Sequence, residues 1–259
     1  MISKAKIKLI RSLENKKARR QEGLFVAEGP KVVGELMAVR TPRMIVATEA
    51  WADAPGVLAS LPADTELVRV TDDELRKASF LQHPQQVLGL FPLPQCDAHT
   101  AVAVPAGRLC LALDGVQDPG NVGTIIRIAD WYGIDDIFCS DDTADVYNPK
   151  VVQATMGSLA RVNVVYTDLN QLADTLPPHY PVYGTLLEGQ NIYGQELTDE
   201  GLIIMGNEGN GISTALRQRV NRQLLIPHYP EGRATAESLN VAIATAITCA
   251  EFRRRTSWK

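Results

Sequence analysis

The chain has 259 residues, 45% of them apolar and 22% charged, with a net charge of −4. That is an ordinary globular composition, long enough for one large domain or two small ones, and its overall charge advertises no polyanionic partner. Cys96, Cys110, Cys139 and Cys249 show no CxxC spacing and no paired histidines, so neither a disulfide framework, a zinc site nor any other metal site is expected. No run approaches the roughly 18 apolar residues of a membrane span, and MISKAKIKLIRS lacks the apolar core of a signal peptide; a reducing cytoplasm is the expected compartment.

Residues 1–20 hold Lys4, Lys6, Lys8, Arg11, Lys16, Lys17, Arg19 and Arg20 against Glu14 alone, a net +7, and read as one basic helix over 3–20. Such an arm suits a phosphate backbone, and it also describes a solvated helix face. A short strand, Leu24 to Ala27, ends in Glu28-Gly29, and Pro30 then opens a helix carrying Val32, Val33, Leu36 and Met37. A β-like run at 43–47, an Ala-rich helix near 49–60 and a strand at 66–70 follow. Thr71 and Glu74 have capping-box spacing, and 86–91 reads as a closing strand. Helices alternating with strands over residues 1–95 describe a small α/β sandwich. PLPQCDAHTAVAVPAG, with three prolines and little periodicity, marks a linker over 96–107.

The second domain, 108–259, has strand-like runs at 109–113, 136–139, 161–166, 181–186, 202–205 and 223–226, separated for the most part by helical patterns. They predict a parallel sheet covered on both faces. The last helix, from about Ser238 to Arg255, is apolar nearly all round and reads as buried, with a subunit interface a candidate for what buries it. Arg253, Arg254 and Arg255 oppose its negative pole.

Three stretches carry candidate chemistry. In LDGVQDPGNVGTIIRIADWYG a strand gives way to a helix opened by Asn121 and Gly123, and Arg127 projects about a turn and a half further on. There it suits a phosphate or carboxylate clamp, or a surface pair with Asp130 or Asp135. In GLIIMGNEGNGIS a strand runs into three glycines within six positions, so that a ligand can lie against bare backbone beside Asn207 and Glu208; alone, the same pattern is an ordinary glycine-rich turn. In LLIPHYPEGRATAESLNVAIATAI, Ser238 reads as an N-cap, whereas Asn240 is an amide inside an apolar helix and needs a buried partner. GxGxxG and a P-loop lysine are absent, which counts against an NAD enzyme and a nucleotide hydrolase.

Together the stretches resemble the SpoU (TrmH) branch of the SPOUT RNA methyltransferases. N-x-G-x-x-x-R stands as Asn121, Gly123 and Arg127; G-N-E-x-x-G as Gly206, Asn207, Glu208 and Gly211; and I-P followed by S-L-N-V as Ile226, Pro227 and Ser238 to Val241. The first domain is similar to the small, ribosomal-protein-like substrate-binding domain that precedes many of these enzymes, with F-V-x-E-G as Phe25, Val26, Glu28 and Gly29. The resemblance implies S-adenosylmethionine-dependent methylation of a ribose 2′-hydroxyl in RNA. It implies as well a homodimer through the C-terminal domain and a deep trefoil knot, which periodicity alone would never suggest. By the same carry-over Asn121, Arg127, Glu208, Ser238 and Asn240 form the catalytic group, and Thr185, Leu186, Gly206, Asn207, Gly211, Ile226 and Leu239 line the cofactor site. Thr185 and Leu186 are expected at a strand end. Residues 228–237 lengthen the usual step from proline to serine.

A ribose hydroxyl must be held in line and relieved of its proton. Arg127 keeps its own proton, so it is expected to orient phosphate or hydroxyl while Glu208 or the phosphate takes the proton. A non-catalytic RNA-binding protein has no need of the whole polar set, and a small-molecule transferase has none of the basic arm. Ribosomal RNA is the expected substrate ahead of transfer RNA, on account of the first domain.

Overall fold

In the computed structural model, which describes residues 1–94, 102–230, 233 and 236–255, the basic stretch folds as two helices rather than one, α1 (Lys4–Ser12) and α2 (Lys16–Glu22). Asn15 interrupts it, because its side-chain oxygen accepts the Lys17 N–H (2.8 Å) and caps a new helix. Arg19 is buried, its guanidinium donating to the carbonyls of Leu13 and Glu14 and to the Asp145 carboxylate. Arg11 donates to the Ser79 carbonyl and lies over the Phe80 ring. These two cations therefore hold the unit together, and Lys4, Lys8, Lys17 and Arg20 are among those left exposed.

β1 (Leu24–Glu28), α3 (Pro30–Met37), β2 (Met44–Thr48), α4 (Glu49–Ala52), α5 (Val57–Ser60), β3 (Glu66–Val70), α6 (Asp72–Ala78) and β4 (Val87–Pro92) follow. The single helix expected near 49–60 is two, split at Pro55-Gly56, where Gly56 takes φ +82°. The Thr71–Glu74 capping box forms as the spacing predicts. The sheet order is β1-β4-β2-β3, with β4 antiparallel to both neighbours and β2 parallel to β3. Val26, Val46, Leu88 and Leu90 meet Ile10, Leu13 and Leu75 of the helical layer in its core.

Glu28 ends β1 inside this unit, accepting the Phe80 N–H (2.9 Å) and the Ser79 hydroxyl. Burial pushes its carboxyl above the usual carboxylate range, against the opposing pull of Ser79, Phe80 and Arg11. A raised folded-state value means that this contribution to stability is full below the unfolded value near 4.5 and is lost as pH rises through the folded value. Glu28→Gln is therefore expected to lose less stability than the parent between about pH 5 and about pH 7, read from urea midpoints at the two pH values; equal losses would refute it.

The chain continues through β5 (Leu109–Asp114), α7 (Pro119–Trp131) and β6 (Asp136–Cys139) to α8 (Pro149–Ala154) and a 3-10 turn, Ser158–Ala160. Contacts divide it into two units, Met1–Ala98 with Asp145–Ala160, and His99–Ala144 with Arg161–Lys259. Asp145–Ala160, which the sequence reading leaves inside 108–259, thus belongs with the first unit; Tyr147 packs its ring 4.9 Å from that of Phe25. Residues 96–101 of the expected linker lie outside the described residues.

The second unit is completed by β7 (Asn163–Tyr166), α9 (Leu169–Asp174), β8 (Val182–Asn191), a 3-10 turn Ile192–Gly194, β9 (Gly201–Gly206), α10 (Thr214–Arg217), β10 (Arg222–Leu225) and α11 (Val241–Arg255). Its six strands are all parallel, in the order β10-β8-β9-β5-β6-β7. α11 begins at Val241 and is buried along one side within the single chain: Val241, Ala242, Cys249 and Phe252 are buried, whereas the apolar Ile243 is exposed. Its arginines have specific partners. Arg253 donates to the carbonyls of Tyr132 and Gly133 at the end of α7, Arg255 to those of Tyr193 and Gln195, and Arg254 and Arg255 both hold the buried Glu251. The hydrogen bond from Arg254 keeps the Glu251 carboxyl below its usual range.

Candidate active site

β5 and β9 pair along their whole length, with Asp114 opposite Gly206, so the chain leaves both strands side by side at the carboxyl edge of the sheet. Strand order diverges to either side of β5 there, which is where open parallel sheets hold ligands. After β9 the backbone closes on itself through paired hydrogen bonds between Asn207 and Gly211 (3.0 and 2.9 Å). The closure leaves no room at Gly206: a Cβ would lie 2.3 Å from both the carbonyl carbon of Gly211 and the nitrogen of Ile212.

The Asn207 side chain is spent on this loop. Its Nδ2 donates to the Gly115 carbonyl (2.7 Å), and its Oδ1 accepts the N–H groups of Gly209 and Asn210 (2.9 and 3.0 Å). Gly115, at φ +69°, is in turn held by the Ser140 hydroxyl. Asp114 accepts the Ser213 N–H (2.6 Å) and so fixes the far end of the loop.

Asp118 caps α7 by accepting the Asn121 N–H (2.8 Å), which turns the Asn121 side chain toward Glu208. Asn121 Nδ2 donates to Glu208 Oε1 at 2.7 Å, and Asn240 Nδ2 donates to Asn121 Oδ1 at 3.0 Å. Residues 87 and 119 positions apart in sequence thus form one polar chain. Asn240 is not an amide inside the helix. It is exposed and is itself the cap of α11, its Oδ1 accepting the N–H groups of Ala242 and Ile243 (3.0 and 3.3 Å). Ser238 lies outside the helix.

Beside this chain lies a cavity of about 460 Å³. Thr185, Leu186, Gly206, Asn207, Glu208, Gly211, Ile226, Ser238 and Leu239 all line it, together with Glu188, Arg217 and Glu237. Thr185 and Leu186 are not at a strand end. β8 runs on to Asn191, and its pairing with β10 jumps from Gly184 to Gln190, so the residues between bow out of the ladder and form a wall. The close return at Gly189 forbids a side chain, since a Cβ would lie 2.5 Å from the Leu224 carbonyl carbon.

Arg127 stands apart from this group. It is exposed on α7 and has no hydrogen bond or ion pair among the described residues; Asp130 is held by Arg161 and Asp135 by Arg108. Residues 231, 232, 234 and 235 of the lengthened stretch lie outside the described residues. Sequence reasoning missed Asp114 and Ser140, the supports of the loop. Asp114 was signalled by its place at the end of an apolar strand; Ser140 carried no signal.

The family model for the SpoU rRNA Methylase family matches residues 108–250, and that for an MRM3-like substrate binding domain matches residues 4–89. The 23S rRNA (guanosine(2553)-2′-O)-methyltransferase RlmP of Bacillus subtilis is 33% identical over 250 residues, covering 96% of each chain. An AdoMet-bound rRNA methyltransferase from Sinorhizobium meliloti superposes with a TM-score of 0.84 at 29% identity, covering 98% of this chain and 96% of its own. The SpoU methyltransferase AviRb of Streptomyces viridochromogenes, in complex with AdoMet, shares the fold at a TM-score of 0.84 and 24% identity, covering 99% of this chain and 100% of its own.

Proposed function

Because this chain belongs to the SpoU rRNA methylase family, we propose that it transfers a methyl group from S-adenosylmethionine to a ribose 2′-hydroxyl of ribosomal RNA. The observation that carries this reading is the Glu208–Asn121–Asn240 chain beside a cavity floored by glycine backbone. The cavity fits the cofactor. Gly206 leaves the floor bare, Leu187 and Leu239 are apolar walls, and Glu188, Glu208 and Glu237 outnumber Arg217, a balance suited to a cation. Gly206, Asn207 and Gly211 would hold it through backbone, with Thr185, Leu186, Ile226 and Leu239 around it.

When bound, S-adenosylmethionine supplies an electrophilic methyl group on a sulfonium. The chain's own task is then to bring the hydroxyl oxygen in line and take its proton. Glu208 has Oε1 occupied by Asn121 and Oε2 without a partner among the described residues, which leaves an acceptor at the cavity. Arg127, with its five donors uncommitted among the described residues, serves to orient a phosphate or the hydroxyl.

The homodimer belongs to this reading. The mutually packed α7 and α11 expose Trp131 and Ile243, and a second copy of the chain would bring Arg127 toward the partner's cavity. So do the deep trefoil knot, with the Gly206–Gly211 loop and the residues around Ile226 and around Leu239 wrapped round the cofactor, and a layout in which a substrate domain over 1–95, joined by Asp145–Ala160, is linked through 96–107 to a catalytic domain made of the rest of 108–259. A cytoplasmic location is supported by Cys110, Cys139 and Cys249, which are free thiols among the described residues, as a reducing compartment keeps them. Titration calorimetry with S-adenosylmethionine, followed by tritium transfer to ribosomal RNA and nucleoside analysis, tests the whole. One site per chain and a 2′-O-methylated nucleoside are expected; a folded protein that binds no cofactor would overturn it.

A further inference from the structure

The orientation of the Asn121 and Asn240 amides is set from the start of α11. Asn240 Oδ1 accepts two backbone N–H groups, and its NH2 cannot take that place because it has no lone pair to offer. Nδ2 is therefore the group that Asn240 turns to Asn121, and Asn121 must meet it with Oδ1. That leaves Asn121 Nδ2 for Glu208 Oε1. If either amide were reversed, two like groups would face each other, so each orientation dictates the next.

We infer that Asn240 is a positioning residue, one that acts through Asn121 to decide which oxygen of Glu208 is occupied and which is left for substrate. The rigid reference is the α11 backbone itself, whose first N–H groups have no partner within the helix. Asn240 is thereby removed from the groups that touch substrate. The catalytic consequence rests on the methyl-transfer reading; the geometry stands without it.

Asn240→Asp separates capping from relay. A carboxylate still accepts both helix N–H groups, so thermal unfolding should stay close to the parent's. It has no donor for Asn121 and offers a carboxylate that competes with Glu208 for the Asn121 NH2, so Asn121 turns that group away from Glu208 toward position 240. The first readout is the Asn121 side-chain NH2 signals in 15N-correlated NMR, assigned by their loss in Asn121→Ser. In the parent, Glu208→Gln should shift them; in the Asn240→Asp background the same change should leave them in place. The second is methyl transfer, where kcat should fall about 100-fold while KM for RNA stays within about threefold. Signals that respond to Glu208→Gln alike in both backgrounds, or a kcat within about twofold of the parent, would overturn the inference. Should Asn240→Asp not fold, Asn240→Ser replaces it, since serine also caps and its hydroxyl is too short to reach Asn121. A parent that transfers no methyl group would sink the methyl-transfer reading, and the NMR comparison would still decide this one.

Discussion

Gly206→Ala abolishes cofactor binding while the chain still folds. The added Cβ would fall 2.3 Å from two backbone atoms and 2.6 Å from the Gly211 oxygen, and no side-chain rotation relieves a clash between backbone and Cβ. The Asn207–Gly211 closure must open, which removes the floor of the cavity. The strain is expected to cost about 3 kcal/mol of stability. Affinity for S-adenosylmethionine should fall at least about 100-fold, equivalent to about 2.7 kcal/mol. Gly209→Ala is the matched comparison: its Cβ would meet only Asn207 Oδ1, at 3.5 Å, an ordinary contact. Calorimetric titration of both variants decides it, and equal losses at 206 and 209 would show that loop closure is not what holds the site.

Arg127→Lys is expected to lower kcat on the order of 100-fold at saturating RNA, with cofactor affinity unchanged. The guanidinium has no competing partner among the described residues, because the nearby acids are taken by Arg161 and Arg108. Its planar fork is therefore available whole, and a lysine keeps the charge while losing the two-pronged geometry. Since Arg127 does not line the cavity, a drop in cofactor affinity would contradict the assignment as directly as an unchanged kcat.

Local rules read well where one element decides its own shape. The capping box at Thr71, Pro30 in the first turn of α3, and the strands Glu66–Val70 and Asp136–Cys139 stand as their patterns predict. The glycine-rich loop and the helix carrying Asn121 were each legible because each follows an apolar strand, whereas that those strands lie side by side is seen only in the sheet pairing. What failed was whatever depends on a partner far along the chain. Arg19 and Arg11 look like members of a solvated face until Asp145 and Ser79 are in place. Asn240 reads as a misplaced helix amide because the true start of α11 is set by its own cap, and no propensity scale separates Ser238 from Asn240 as that cap. The bowed wall at Thr185 is equally invisible, since it arises from where β10 resumes its pairing.

The membership of Asp145–Ala160 in the first unit bears on modularity. The chain passes from the first unit to the second, returns, and leaves again, so the two are not beads on one string. Cutting at residues 96–107 would not free either of them, and a fragment starting at 108 would carry Val146, Val151, Val152 and Leu159 into water without the Phe25 side of their core. An exchange of the first unit between relatives has to transplant two separate stretches, with Asp145–Ala160 travelling alongside residues 1–94.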